Sequence, residues 1–140
     1  MKAYLDTSSL IAARGLSSAP RGVTRPHSVA EFYGTVTGRG ITVIKDGTPV
    51  RHALAPQDAV ELISKVFAKV EFCDLTAEQM TEDLPEAVKA NVQGPNIHDF
   101  MHAAAASRAG CQVIVTANAK DFRRVTSIRL VSPADYFTAK

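Results

Sequence analysis

The sequence predicts an α/β protein with a central, mainly parallel sheet and helices on both faces. Four short segments (2–5, 70–73, 112–115 and 128–131) are almost continuously apolar, as strands covered on both sides must be. Segments whose apolar residues recur at three and four positions lie between them, the period of helices packed on a sheet. Capping and breaking residues stand where one period gives way to the other. The 140 residues are read as one domain, 1–140, enough to bury about two-thirds of the unfolded surface.

The first strand, 2–5, stops at Asp6, and Thr7, Ser8 and Ser9 lead into a short helix over 7–14 that Gly15 ends. Residues 16–26 are rich in Ser, Pro, Arg and Gly and read as a mobile connection carrying Arg21 and Arg25. Ser28 and Glu31 fit the Ser-x-x-Glu capping pattern, and Val29, Phe32, Tyr33 and Val36 continue as an apolar helix face to about residue 37. Gly38 and Gly40 stop that helix. Over 41–52, two β-rich runs flank Asp46-Gly47, a strong hairpin signal, so a small hairpin projects from the sheet here.

Residues 56–69 form the clearest amphipathic helix, with Ala59, Val60, Ile63, Val66 and Phe67 on one face. A strand over 70–75 follows. A helix capped by Thr76 and Gln79 comes next, interrupted or restarted at Pro85 and fading by Gly94. Asn96 opens an Ala-rich helix that ends near Gly110. A buried strand over 112–116 leads to a polar turn over 117–124, a last strand over 128–131 and a short helix from Ser132.

Composition sets bounds without selecting a function. No window approaches the ~20 apolar residues of a membrane span, and Met1-Lys2 runs directly into the first strand, so neither membrane insertion nor a signal peptide is expected. Cys73 and Cys111 border apolar runs, as reduced thiols of a cytoplasmic protein do. A net charge of +2 permits a nucleic-acid partner without requiring one. There is no GxxxxGK phosphate loop, GxGxxG, GxSxG or paired CxxC, which disfavours NTPase, dehydrogenase, esterase and zinc-finger chemistry.

The chemistry rests on three acids in similar places. Asp6 ends a strand, and Glu31 and Asp99 stand near the starts of two helices. Each has a purely structural reading: Asp6 as an N-cap, Glu31 in a capping box with Ser28, and Asp99 favoured by the helix dipole behind Asn96. If they converge, two carboxylates ~4 Å apart repel by about 4 kcal/mol at an effective dielectric near 20. A divalent cation relieves that, and all-oxygen ligands suit Mg²⁺ or Mn²⁺. Such an ion activates water against a phosphodiester.

Leu5-Asp6-Thr7-Ser8-Ser9-Leu10-Ile11, Ser28-Val29-Ala30-Glu31-Phe32, Ile97-His98-Asp99-Phe100-Met101-His102-Ala103-Ala104-Ala105 and Val115-Thr116-Ala117-Asn118-Ala119-Lys120-Asp121-Phe122 resemble, in order, the four blocks of the PIN domain. The likeness is to VapC-type ribonuclease toxins and spans nearly the whole chain. It implies a Rossmann-like α/β/α fold, Mg²⁺- or Mn²⁺-dependent endoribonuclease activity leaving 5′-phosphate and 3′-hydroxyl ends, homodimerisation and a cognate antitoxin. Carried over residue by residue, it assigns Asp6, Glu31 and Asp99 to the metal, with Thr7 and Thr116 in support. Many family members have Asp where this chain has Asn118, so the fourth position falls to Asn118 or to Asp121.

Lys120, Arg123 and Arg124 adjoin this block and either bind flanking phosphates or form a solvated face. His98 and His102, four apart, lack a third metal ligand and read as surface or partly buried residues. Phe32, Tyr33, Phe67 and Phe72 read as core rather than as base-stacking platforms. Two rival functions remain: a PIN-like RNA- or antitoxin-binding module that has lost turnover, and a phosphohydrolase with Asp6 as nucleophile. The second is weakened by Ser8 standing where such enzymes carry another acid.

Overall fold

The computed structural model describes residues 1–138. Its central sheet has five strands: β1 (Ala3–Leu5), β2 (Gly22–Thr24), β5 (Val70–Phe72), β6 (Val113–Val115) and β7 (Arg129–Val131), in the spatial order β5-β2-β1-β6-β7. Every neighbouring pair is parallel. The hairpin, β3 (Ile41–Lys45) and β4 (Thr48–His52), forms a separate two-stranded antiparallel sheet, as Asp46-Gly47 predicts. Asp46 and Gly47 both take positive φ there.

Among the described residues, seven α-helices complete the order: α1 (Thr7–Ala12), α2 (His27–Thr37), α3 (Pro56–Val66), α4 (Ala77–Lys89), α5 (Ile97–Arg108), α6 (Ala119–Phe122) and α7 (Pro133–Thr138). Alternation along the strands sorts them into two layers. Ala3 and Leu5 of β1 and Val113 and Val115 of β6 pack with Leu10, Phe32, Val36, Ala59, Val66 and Tyr136, which come from α1, α2, α3 and α7. Tyr4 and Ile114, the residues between, face the other way onto Leu75, Ala103, Ala106 and Phe122 beneath α4, α5 and α6.

Several local expectations are corrected. Residues 16–26 are not simply a mobile connection, because β2 lies within them and is inserted between β1 and β5. A Cβ on Gly22 would stand 2.7 Å from the Leu5 side chain, so this strand needs a residue that composition reads as a turn signal. Arg25 is buried and donates to Asp74 at 2.9 Å. Helix α2 starts at His27 without a side-chain cap, and Ser28 instead hydrogen-bonds Thr24 (2.8 Å), so the expected Ser28–Glu31 capping box does not form.

Helix α4 has the expected Thr76–Gln79 box but runs through Pro85 unbroken. Pro85 is exposed, so water can serve the Thr81 carbonyl that its missing N–H leaves free. The polar turn over 117–124 contains α6. Phe32 is core, but Tyr33, Val60 and Phe72 are 38%, 56% and 49% exposed, so the apolar faces read from sequence reach solvent at those three positions.

Candidate active site

Strand order reverses at β1, with β2 and β5 on one side and β6 and β7 on the other. In open parallel sheets, the crevice beyond the carboxyl ends of the strands at such a reversal is where ligands bind. Here β1 runs out into Asp6 and β6 into Thr116, adjacent because Leu5 and Val115 are in register.

Asp6 is 5% exposed and takes the capping role weighed for it while also lining the cleft. As N-cap of α1, its Oδ1 accepts from the Ser9 N–H (2.8 Å) and from Ser8 Oγ (2.7 Å). Its Oδ2 accepts from Thr116 Oγ1 at 2.5 Å. Ser8 Oγ accepts from the Ala117 N–H, and Thr116 Oγ1 from the Asn118 N–H, so the turn after β6 is stitched to the start of α1. Burial raises the Asp6 pKa, and the bonds from Thr116, Ser9 and Ser8 only partly oppose it.

Glu31 sits in the second turn of α2, facing the same crevice. Its Oε1 accepts from Thr7 Oγ1 (2.9 Å) and from His102 Nε2 (3.1 Å). His102 is 3% exposed, and its Nδ1 bonds the hydroxyl of the fully buried Tyr4 at 2.5 Å. A buried phenol without a partner costs about 1–3 kcal/mol, and this imidazole removes that cost. Burial works to raise the Glu31 pKa, but His102, Thr7 and His27 outweigh it and bring the value down to about 2.

Asp99, in the first turn of α5, completes the set. Burial raises its pKa, and the charges of Asp121, Asp6 and Glu31 add to that against the pull of His102. Among the described residues, nothing hydrogen-bonds its carboxylate.

Asp6, Thr7, Glu31, Asp99, His102 and Asn118 thus line one cleft of about 220 Å³. Thr116 lies beneath it, bonded to Asp6. Asp121 is exposed on α6, close enough to act on Asp99 through charge but outside the lining. Lys120, Arg123 and Arg124 are also exposed and outside it. His98 is exposed and stacks on His27, with ring centroids 5.8 Å apart. Sequence alone gives no reason to single out Tyr4 and leaves His102 as a surface or partly buried residue. The available signal is spacing, because Asp99 and His102 stand three apart on one face of α5.

The sequence matches no protein-family model, and no curated protein is significantly similar to it. Solved structures are similar in fold. VapBC-1 from nontypeable Haemophilus influenzae superposes with a TM-score of 0.61 at 18% identity, over 96% of this chain and 99% of that one. VapBC2 from Rickettsia felis, bound to a DNA fragment from its promoter, gives 0.63 at 17% over 94% and 98%. Mycobacterium tuberculosis VapC20, a sarcin-ricin loop cleaving toxin, gives 0.58 at 15% over 86% and 92%. The fold is PIN-like.

In this PIN-like frame the fit to a divalent cation can be judged from the donors. No three His, Cys, Asp or Glu side chains among the described residues lie close enough together to hold an ion between them directly. Mg²⁺ does not need that, since it keeps several waters and takes one or two carboxylates with the substrate's phosphate. The cleft offers hard oxygen donors, no thiolate, and in Asp99 a carboxylate with no partner beside other negative charges. A hydrated Mg²⁺ or Mn²⁺ fits that donor set. No helix among the described residues is long and apolar enough to cross a membrane.

Proposed function

We propose that this protein is a Mg²⁺- or Mn²⁺-dependent endoribonuclease of the VapC toxin type, hydrolysing RNA phosphodiesters. One observation carries the reading: carboxylates from three separate elements, Asp6, Glu31 and Asp99, line a single cleft at the strand-order reversal of a PIN-like sheet. Asp6, Glu31 and Asp99 would hold the ion, in part through water. When bound, it supplies a polarised phosphoryl oxygen and an activated water.

The chain's own residues set up the rest. Thr116, Ser8 and the Ser9 N–H fix both oxygens of Asp6. Thr7 and His102 fix Oε1 of Glu31 and keep that side chain ionised. Asp99, unbonded, is free to turn toward the cation. Asn118 offers the substrate a neutral hydrogen-bonding amide at the rim. A cognate antitoxin and a homodimer belong to this proposal. The VapBC neighbours support the antitoxin, and the exposed Tyr33, Val60 and Phe72 supply apolar surface for such contacts.

Purified protein should cleave a structured RNA with Mn²⁺ and not with EDTA. Asp6→Asn should reduce cleavage by at least about 100-fold, on the scale of lost electrostatic catalysis, while its circular dichroism stays unchanged. A fully active Asp6→Asn protein would overturn the reading. Asn118, an uncharged residue lining the cleft, favours one alternative: a PIN-like module that binds RNA or antitoxin without turnover. RNA binding without cleavage in Mn²⁺ would select it.

A further inference from the structure

The acidic cleft opens into a second groove of opposite charge. Ser8, Ile11, Thr35, Arg39 and Asn118 line both. Beyond these shared walls the groove runs under the hairpin, with a volume of about 370 Å³, and its lining holds Arg14, Arg39 and Arg51 but no acid. The three guanidinium groups come from separate places: a 3₁₀ turn after α1 (Ala13–Gly15), the α2–β3 connection and β4.

Their hydrogen bonds leave the charge uncompensated. Arg14 donates to two carbonyls, Ile11 O at 2.9 Å and Thr42 O at 3.0 Å, and Arg51 only approaches Thr42 Oγ1 at 3.5 Å. Among the described residues, none of the three pairs with a carboxylate. Arg39 also faces the acidic cleft, whereas Arg14 and Arg51 meet no acid in their groove, and an anion with several charges lying along it would gain from all three. Guanidinium forks match phosphate oxygens in pairs. A groove continuous with a cleft that accepts a phosphodiester would receive the phosphates next along the same strand.

We infer that the groove under the hairpin binds the backbone of single-stranded RNA on one side of the scissile phosphate, with Arg39 at the junction and Arg14 and Arg51 beyond it. This rests on the nuclease reading and makes the hairpin the outer wall of a track for the substrate.

The test separates binding from cleavage. Fluorescence anisotropy in EDTA measures the affinity of a labelled single-stranded RNA between 50 and 200 mM salt, for the unaltered chain, Arg39→Gln/Arg51→Gln and Arg39→Lys/Arg51→Lys. Three phosphate contacts predict an affinity loss of about 20-fold over that range, and one remaining contact about threefold. The Gln pair should therefore flatten the salt dependence and the Lys pair should keep it. Both variants are checked for an unchanged thermal midpoint.

A salt dependence unaltered in the Gln pair overturns the groove while leaving Mn²⁺-dependent cleavage, scored separately, to stand. Failure of the unaltered chain both to bind and to cleave RNA overturns the nuclease reading and the groove together. Polyglutamate is the second probe. If it binds as tightly as RNA and is lost equally in the Gln pair, the groove is a surface for an acidic protein segment and the inference falls.

Discussion

Asp99 and Glu31 show how neighbouring carboxylates in one cleft are set in opposite directions. Glu31, at about 2 in the folded protein against 4.5 for the unpaired group, contributes stability that is full above pH 4.5 and lost as pH falls toward 2. Asp99 is raised, so its charge costs stability as pH rises through its folded pKa. Asp99→Asn should therefore raise the metal-free thermal midpoint at pH 7, while removing cleavage and any upward shift produced by Mn²⁺; differential scanning fluorimetry checks both. For Glu31, carboxyl chemical shifts followed by NMR should place the midpoint below pH 3, and Thr7→Val should move it upward. Asp6 and Asp99 stood out in the sequence because each lies where a strand or helix begins or ends, whereas Glu31 lies inside α2 and was marked by a capping pattern that does not form. The Tyr4–His102–Glu31 chain was not, since it joins residues 98 and 71 positions apart whose meeting depends on the sheet bringing β1 beneath α5.

At the scale of elements, local signals carried through unevenly, since the Ser28–Glu31 pattern forms no capping box while two others do what they predict. The hairpin turn and the Thr76–Gln79 box are set by neighbours within four residues, and both form. Strand β2 has only Gly22, Val23 and Thr24 between Pro20-Arg21 and Arg25-Pro26, so its partners in β1 and β5 define it rather than its own composition. Gly40 fixes how the hairpin leaves α2. It has φ +82°, and a Cβ there would lie 2.5 Å from the His52 carbonyl oxygen and 2.8 Å from the Ala53 nitrogen. Gly40→Ala thus meets backbone on the far strand as well as an unfavourable φ, and should cost about 2 kcal/mol. Urea denaturation reads that loss, and hydrogen exchange should show faster opening over 41–52. If the arginine groove guides RNA, cleavage should weaken in the same variant.

For the molecule as a whole, the parallel topology decides where chemistry is possible, because it brings the exits of β1 and β6 together and leaves a crevice between them. The covered sheet was readable from four apolar runs, whereas the position of the reversal was not, because it depends on the strand that composition hides. If the cleft holds the proposed cation, protons would compete with it at Asp6 and Asp99, both of which burial raises. Mn²⁺ should therefore raise the thermal midpoint more at pH 7.5 than at pH 5.5, and calorimetry in two buffers of different ionisation heat should detect protons released on binding. The β3–β4 sheet exchanges no strand pairing with the five-stranded one. Its outer face can be rewritten, lengthened or recharged without disturbing the carboxylates of the neighbouring cleft. On the nuclease reading, selection could retarget cleavage by altering that outer surface while the carboxylates stay as they are.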